Sequence, residues 1–337
     1  MLIKFDKPIY KIMELLKATP ENIKKAAEFI KKGKLVAFPT ETVYGLGANG
    51  LDSFAVAKIF EAKNRPSFNP LILHITEKDE LGRLTSVTNS KIDRIIDKFW
   101  PGPLTLVLPK ENIVPDIVTA GNPTVAVRMP DHPVALQLIE LSQTPIAAPS
   151  ANLFGQLSPT TAEHVVKQLG SKVDLILDGG KCKVGVESTI IGFFEGEVVL
   201  LRPGGIPVEE IETITGKMKK YTATEKDTNP LSPGRLPFHY SPEIPIRFFD
   251  ENIEKEIGEK KVGALLLKKS HTVFQFDKII YLSRNGDLQE AAANLFAALH
   301  ELETSDLDLI YVEPVPEKGL GIAIMDRLKK AVKKYEK

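Results

Sequence analysis

Residues 38–75 read FPTETVYGLGANGLDSFAVAKIFEAKNRPSFNPLILHI, and they decide the class of fold. The segment from Asp52 to Ala62 has the pattern of a helix, with Asp52 or Ser53 suited to the N-cap. Apolar runs stand on both sides of it, LVAF at residues 35–38 and LILHI at residues 71–75, and both have the length of buried strands. The alternation of strands with a helix predicts an α/β fold.

The loop that connects this helix to the next strand, KNRPSFNP at residues 63–70, is unusually polar. A connection of this kind needs only a few residues and one or two breakers. This one carries Lys63, Arg65 and Asn69, and Pro66 and Pro70 stiffen it. Two cations and an amide on a rigid loop suit a polyanion such as a nucleotide phosphate, with a solvated basic turn as the alternative.

The composition excludes several classes of function. The length of 337 residues exceeds the usual size of one hydrophobic core, so two domains are expected. The 44 Lys and Arg residues balance 44 Asp and Glu residues, so the net charge predicts no broad surface for nucleic acid or membrane. One cysteine, Cys182, excludes an internal disulfide and a cysteine-based zinc site, and six scattered histidines predict no metal site.

The sequence contains neither the pattern of a transmembrane helix nor that of a signal peptide. No apolar run approaches the roughly 18 residues of a membrane span. The N-terminal residues MLIKFDKP lack the apolar core of a signal peptide. A cytoplasmic protein without a membrane partner is therefore expected.

Helical and strand patterns alternate along most of the chain. Predicted helices cover residues 21–31, 52–62, 92–99, 134–141, 161–169, 288–302 and 322 onward. Predicted strands cover residues 35–38, 71–75, 104–109, 124–130, 145–150, 173–178, 188–193, 197–204 and 307–313, with IRFF, KVGALLLK and DKIIYLS as three more. Hairpin-like pairs stand among the crossovers, so a mixed sheet is expected and not a purely parallel one.

The pattern breaks between residues 217 and 245, where five prolines and no hydrophobic period predict a linker. The predicted organisation is a first domain at residues 1–216, this linker at 217–245, and a smaller αβ domain at 246–337.

Several polar residues stand at the ends of apolar strands, where open α/β sheets bind ligands. His74 ends LILHI, Ser188 opens STIIGF, Arg128 ends TVAVR and Arg202 ends EVVLLR. A lone histidine at a strand end has a structural explanation, but an arginine after four apolar residues is costly to bury without an anionic partner. Together with Lys63 and Arg65, these arginines predict a cleft for a triphosphate and a carboxylate. Chemistry there would rest on positioning and electrostatics.

Two other functions compete with this interpretation. Gly45 to Gly50 matches GxGxxG and would suit a dinucleotide-dependent oxidoreductase, but the expected acidic residue is not at its usual distance. An RNA-binding module is the second alternative, and the balanced charge and lack of aromatic residues interleaved with Lys and Arg speak against it. The GLGIA segment at residues 319–323 has no P-loop lysine and is interpreted as a tight turn before the last helix.

A set of ordered motifs carries a family resemblance. FPTETVYGLGA, KNRPSFNPL, WPGPLTLVL, VAVRMP, APSAN, ESTI, LLRPG, SPG…HY and GLGIAIMDRL resemble the YrdC-type threonylcarbamoyl-AMP synthases, in their long two-domain form. The resemblance implies a twisted mixed α/β sheet with a concave cleft, followed by a Rossmann-like domain. It implies conversion of L-threonine, bicarbonate and ATP to threonylcarbamoyl-adenylate and pyrophosphate. The product would pass to a separate transferase complex that modifies ANN-decoding tRNA, with at most a weak tRNA contact by this protein.

The resemblance also implies roles for individual residues. The predicted threonine site consists of Thr42, His74, Arg128, Ala148 and Ser188. The predicted ATP site consists of Lys63, Arg65, Asn69, Thr124, Ser150, Ser158, Arg202, His239 and Tyr240. Among them, Lys63, Arg65 and Arg128 are the predicted catalytic residues, and His239 and Tyr240 lie on the linker, which is expected to act as a lid. Mg²⁺ is expected with the ATP, held mainly by phosphates and water.

The chain departs from the family pattern in two places. The linker reads SPGRLPFHYSP at residues 232–242, where many relatives read SPGMKYRHYAP, so Arg235 is the candidate substitute for the missing basic residues. Gly192 stands where the strand usually ends in an aspartate, so no role of that carboxylate is carried over.

Overall fold

The computed structural model describes residues 13–86, 90–194, 196–221, 230–234, 239–269 and 274–336. Arg235 lies outside the described residues. Within them the chain forms two sheets. The first sheet contains β1 (Glu14–Lys17), β2 (Val36–Phe38), β3 (Gly45–Asn49), β4 (Ile72–His74), β5 (Leu104–Pro109), β6 (Thr124–Arg128), β7 (Ile146–Ala147), β8 (Leu175–Asp178), β9 (Thr189–Phe194), β10 (Glu197–Arg202) and β11 (Lys219–Lys220).

Helices surround this first sheet. They are α1 (Pro20–Lys31), α2 (Ser53–Lys63), α3 (Leu81–Leu84), α4 (Ser90–Phe99), α5 (Asp116–Thr119), α6 (Pro133–Ser142), α7 (Ala162–Leu169) and α8 (Val208–Thr215). The second unit consists of β12 (Ile246–Phe248), α9 (Ile253–Glu259), β13 (Val262–Leu266), β14 (Lys278–Tyr281), α10 (Leu288–Glu303), β15 (Leu309–Val312) and α11 (Gly321–Lys333).

The first sheet is mixed, which confirms the predicted class. Its described strands run in the order β1-β8-β2-β3-β7-β4-β6-β5-β9-β10-β11. The β4–β6 and β5–β9 pairs are parallel, whereas β5–β6, β3–β7 and β9–β10 are antiparallel. Two of the polar strand ends therefore meet, because His74 stands opposite Arg128 in the β4–β6 register.

Local sequence explains the helices that flank the sheet. Helix α1 starts at Pro20, a favoured first-turn residue, and the Thr19 hydroxyl accepts a hydrogen bond from the Asn22 amide. It buries one stripe, Ile23, Ala26, Ala27 and Ile30, as the 3.6-residue period predicts. Asp52 caps α2 by accepting from the Phe54 and Ala55 amides. Both predicted helices are confirmed.

The glycine-rich segment at residues 45–50 is not a phosphate-binding turn. Gly45 to Asn49 forms β3, which pairs antiparallel with β2 and β7. A Cβ on Gly47 would come within 2.8 Å of both Phe38 and Ile146, and one on Gly45 would lie 3.3 Å from Ala148. The glycines therefore permit close packing of a buried strand, and the dinucleotide interpretation was wrong.

The polar segment at residues 63–70 begins inside α2, and its charged side chains are buried. Lys63 is the last residue of α2, and its side chain is buried, as are those of Arg65 and Asn69. Asn64 ends the helix in the left-handed conformation. The alternative of a solvated basic turn is excluded, because the cations face the interior.

The second sheet has the order β12-β15-β13-β14, and each described pair in it is parallel. Helices α10 and α11 pack against it. One apolar cluster joins the two units, since Val43, Leu157 and Val186 of the first unit lie with residues of α10 and α11. The GLGIA turn opens α11, and the Gly319 amide donates to the Glu209 carboxylate of α8.

Gly192 lies in a narrow space. A Cβ added there would overlap the Phe194 ring and would lie 3.2 Å from Leu201. An aspartate could not be placed at this position without displacing those side chains. Glycine at this position is therefore compatible with the packing of Phe194 and Leu201.

Candidate active site

A cavity of about 50 Å³ lies at the strand ends of the first sheet, beneath the linker. All five residues of the predicted threonine site line it: Thr42, His74, Arg128, Ala148 and Ser188. Of the predicted ATP site, five residues line it: Arg65, Ser150, Arg202, His239 and Tyr240. The other four lie outside the lining: Lys63, Asn69, Thr124 and Ser158. The fold thus brings together side chains that are up to 198 residues apart, from Thr42 to Tyr240.

Strand pairing explains this convergence. His74 and Arg128 are neighbours at the carboxyl ends of parallel β4 and β6. Ser188 immediately precedes β9, which starts beside β5, and β5 runs antiparallel to β6. The Ser188 and Thr105 hydroxyls are 2.7 Å apart, which fixes Ser188 against β5.

Arg128 is held by an ion pair that the sequence did not indicate. Its Nη2 donates to Glu41 Oε1 at 2.5 Å, its Nη1 to Thr42 Oγ1 at 3.0 Å and its Nε to the Gly102 carbonyl at 3.3 Å. Both charged side chains are at most 6% exposed. Glu41 Oε2 finds no hydrogen-bond partner among the described residues. Glu41 therefore orients Arg128 and balances its charge.

His74 is neutral over the physiological pH range. Burial, with a smaller contribution from the positive Arg128, lowers the pKa of its imidazole to about 3. The ring packs edge-on against Phe38. A neutral imidazole between Phe38 and Arg128 can donate or accept one hydrogen bond without adding charge to the cavity.

Acidification is expected to destabilise the protein through His74. The ordinary pKa of its imidazole is 6.5, so the unfolded chain takes up a proton between pH 6.5 and pH 3 that the folded chain does not. This stabilisation is complete above pH 6.5 and is lost as the pH falls. At pH 5 the loss is about 2 kcal/mol. Denaturant titrations at pH 7.5 and pH 5 measure it, and His74→Gln should lose about 2 kcal/mol less. Equal losses in the two proteins would contradict the assignment.

Lys63 lies behind the cavity. Its ammonium donates to the Ser150 carbonyl at 2.6 Å and to the Asn152 carbonyl. Burial, followed by the nearby Arg65 charge, lowers the pKa of Lys63 well below its ordinary value. A phosphate placed nearby would reverse that effect, because an anion favours the protonated amine.

Arg65 stiffens its own loop and faces the cavity. Its guanidinium donates to the Asn69 side chain at 2.7 Å, and to the Asn69 and Pro70 carbonyls. Burial lowers the pKa of Arg65 to about 9. Carbonyl and amide acceptors leave the positive charge uncompensated, which favours binding of an anion here.

Arg202 lies beside Ser188 in the lining of the cavity. Its Nη2 donates to the Ser188 carbonyl at 2.9 Å, and its Nη1 lies 3.4 Å from the Pro233 carbonyl of the linker. Its Nε has no partner within the described part of the chain. A buried donor of this kind suits a ligand oxygen.

The linker covers the cavity. Gly234, His239 and Tyr240 line it, and the Tyr240 ring lies 4.1 Å from that of His239. Tyr240 has a φ of 62° and is buried. The enclosed space holds only a few water molecules, whereas a site for a drug-sized ligand needs roughly 300 Å³ or more. The cavity is therefore too small for a ligand of that size while the linker residues lie in this position.

Two further charged residues at this site were not predicted from the sequence. Glu187 lines the cavity directly before Ser188, and Arg327 of α11 forms an ion pair with it. The ESTI and MDRL motifs contain them, but nothing in the local sequence shows that they pair across 140 positions. Among the described residues no cluster of His, Cys, Asp and Glu could hold a metal ion. The described helices include none that is long and apolar enough to cross a membrane.

Comparison with known proteins identifies the family. A family model described as telomere recombination, that of Sua5, YciO and YrdC, matches residues 28–204. A second model, the C-terminal domain of threonylcarbamoyl-AMP synthase, matches residues 206–332.

Curated relatives and a solved structure agree with these models. The threonylcarbamoyl-AMP synthase of Pyrococcus abyssi is 47% identical over 92% of this chain and 93% of its own length. That of Bacillus subtilis is 42% identical over 95% of both chains. The crystal structure of P. abyssi Sua5 complexed with L-threonine superposes with a TM-score of 0.85 at 44% identity, covering 95% of this chain and 97% of that one. The chain therefore belongs to the Sua5/YciO/YrdC family, in the form that carries the C-terminal domain of the threonylcarbamoyl-AMP synthases.

Proposed function

We propose that the protein is a threonylcarbamoyl-AMP synthase that acts as a nucleotidyltransferase on L-threonine, bicarbonate and ATP. The observation that carries the proposal is one buried cavity whose lining combines a first group, Arg128, neutral His74 and two hydroxyls, with two further arginines, Arg65 and Arg202. The first group suits the carboxylate and hydroxyl of threonine. The two arginines suit the phosphates of ATP.

The reaction divides into two bond-forming steps. The threonine amine attacks the carbon of bicarbonate and releases water, which gives a carbamate. A carbamate oxygen then attacks the α-phosphorus of ATP, and the bond to pyrophosphate breaks. Arg128 would hold the threonine carboxylate, while Arg65 and Arg202 would oppose the charge that develops on the phosphates.

ATP would enter as its magnesium complex. The described carboxylates nearest the cavity, Glu41 and Glu187, are each paired with an arginine. Mg²⁺ would therefore arrive with the nucleotide and keep phosphate oxygens and water as its ligands. The adenylate product would pass to a transferase complex that modifies tRNA.

A reaction with labelled bicarbonate tests the proposal. Threonine, ATP, Mg²⁺ and the purified protein should yield labelled threonylcarbamoyl-adenylate and an equal amount of pyrophosphate, without tRNA and without a nicotinamide cofactor. Omission of threonine or ATP should abolish the labelled product. Absence of product in the complete mixture would refute the proposed activity, and a requirement for tRNA would favour an RNA-binding role.

Amino-acid selection is expected to depend on the threonine hydroxyl. Thr42, His74 and Ser188 offer polar groups that valine would leave unpaired, and a site built for a hydroxyl rejects the analogue that lacks it. Valine should react at least about a hundredfold less efficiently than threonine, and serine should retain part of the activity. Values of kcat/KM for pyrophosphate release measure this, and equal values for valine and threonine would remove these residues from the side-chain site.

A further inference from the structure

Glu187 places a negative charge where the nucleotide is proposed to bind. Its side chain is buried and lines the same cavity as Arg65 and Arg202. The Ser158 hydroxyl donates to Glu187 Oε1. The Glu187 carbonyl accepts from the Gly205 amide at 2.9 Å, so the segment before Ser188 is fixed at both backbone and side chain.

The charge of Glu187 is balanced by the second domain. Arg327 of α11 is 1% exposed, and its Nε donates to Glu187 Oε2 at 3.0 Å. Its Nη1 donates to the Pro203 carbonyl at 2.7 Å and, at 2.8 Å, to the half-buried Asp326 carboxylate, which also pairs with Lys330. The guanidinium lies 5.2 Å from the centre of the Tyr240 ring. Burial opposes ionisation of Glu187, but Arg327 and then Arg202 outweigh it and lower the pKa of the carboxyl. Glu187 is therefore ionised, and Arg327 is its principal partner.

An ionised carboxylate at this position would repel a triphosphate unless a cation compensated it. The first domain already directs Arg202 toward Ser188 and Pro233, with no described hydrogen bond to Glu187. The larger part of the compensation therefore comes from Arg327 of α11, which makes the described ion pair with Glu187. The same contact orients Glu187 so that it holds Ser158, a residue of the predicted ATP site.

We propose that Arg327 is a positioning residue for the nucleotide, supplied to the first domain's cleft by the second domain. It neutralises Glu187 and fixes its carboxylate, and through Glu187 it holds Ser158 and the Ser188 segment in place. This inference rests on the proposed function and assigns the second domain a direct part in nucleotide binding.

A double-mutant cycle tests the inference in the full-length protein. Arg327→Met leaves the Glu187 charge without its partner and should weaken binding of a non-hydrolysable ATP analogue about ten- to a hundredfold. Glu187→Gln removes the charge while keeping the shape. The double variant should therefore bind the analogue within about threefold of Glu187→Gln alone, because the cavity no longer holds the Glu187 charge and Asp326 keeps its ion pair with Lys330. In steady-state assays, Arg327→Met should raise KM for MgATP by a larger factor than it lowers kcat.

Controls separate electrostatics from loss of packing. Arg247 forms an ion pair of the same 3.0 Å length with Glu256 in the same domain, at a more exposed position outside the cavity lining. Arg247→Met should leave analogue binding unchanged. Thermal unfolding reports whether each variant folds. If Arg327→Met does not fold, Arg327→Lys and the double variant decide the question. Arg327→Lys keeps a positive charge beside Glu187, so both variants should bind the analogue within about threefold of Glu187→Gln, and about tenfold weaker binding by both would contradict the inference.

Two results would overturn the inference. One is analogue binding by Arg327→Met that equals that of the unmodified protein. The other is a double variant as weak as Arg327→Met, which would indicate a purely structural contact. Binding of the analogue is measured without turnover, so a failure of the proposed synthase activity would be recognised separately, by the absence of labelled adenylate from the unmodified protein.

Discussion

Arg128→Ala, made together with Glu41→Gln, is expected to lose threonine-dependent pyrophosphate release at subsaturating threonine. Arg128 is proposed to bind the threonine carboxylate, and loss of a charge-assisted contact typically costs about 1.5–3 kcal/mol, or roughly ten- to a hundredfold in affinity. The measurement is threonine binding by calorimetry, together with kcat/KM for threonine.

The Glu41→Gln background is needed because of the buried ion pair between the two side chains. Removing Arg128 alone would leave a buried carboxylate unpaired, which typically costs about 3–5 kcal/mol of stability. Glu41→Gln alone serves as the matched control, and circular dichroism checks the fold of both. If the double variant bound threonine as tightly as this control, Arg128 would not be the carboxylate ligand.

Tyr240→Ala is expected to reduce adenylate formation about ten- to a hundredfold, while threonine binding changes less than about threefold. An aromatic ring stacked on a base contributes about 1–3 kcal/mol, and the same ring excludes water from a carbamate that would otherwise lose carbon dioxide. Single-turnover formation of labelled adenylate measures the first effect, and calorimetry with threonine measures the second.

The backbone conformation of residue 240 is the same burden for tyrosine and for alanine. Tyr240 has a φ of 62°, and alanine at the same position keeps the same backbone penalty, so the difference reports the ring. Tyr240→Phe keeps the ring and should retain most of the activity. The substitution is made in the full chain because the two domains share an apolar cluster that truncation would expose. Adenylate formation by Tyr240→Ala at the normal rate would show that the linker only tethers the domains.

The helices and strands that could be predicted are those specified by residues close together in the sequence. The Asp52 cap, the α1 stripe and the strand at Leu104–Pro109 are found as predicted, because capping and periodicity act within a few residues. The glycines at residues 45–50 suggested a dinucleotide-binding turn, because the local sequence does not show what packs against them. A turn and a tightly packed strand both require glycine, and only the neighbours Phe38 and Ile146 distinguish the two.

The mixed α/β class, the family and the polar strand ends that line the cavity could all be predicted from the sequence. The pairing of the buried charges could not. Arg128 pairs with Glu41, which lies 87 positions earlier, and Arg327 with Glu187, which lies 140 positions earlier. Pairing of buried charges depends on distance in space and on the loss of solvent screening, and neither can be determined from the order of residues along the chain.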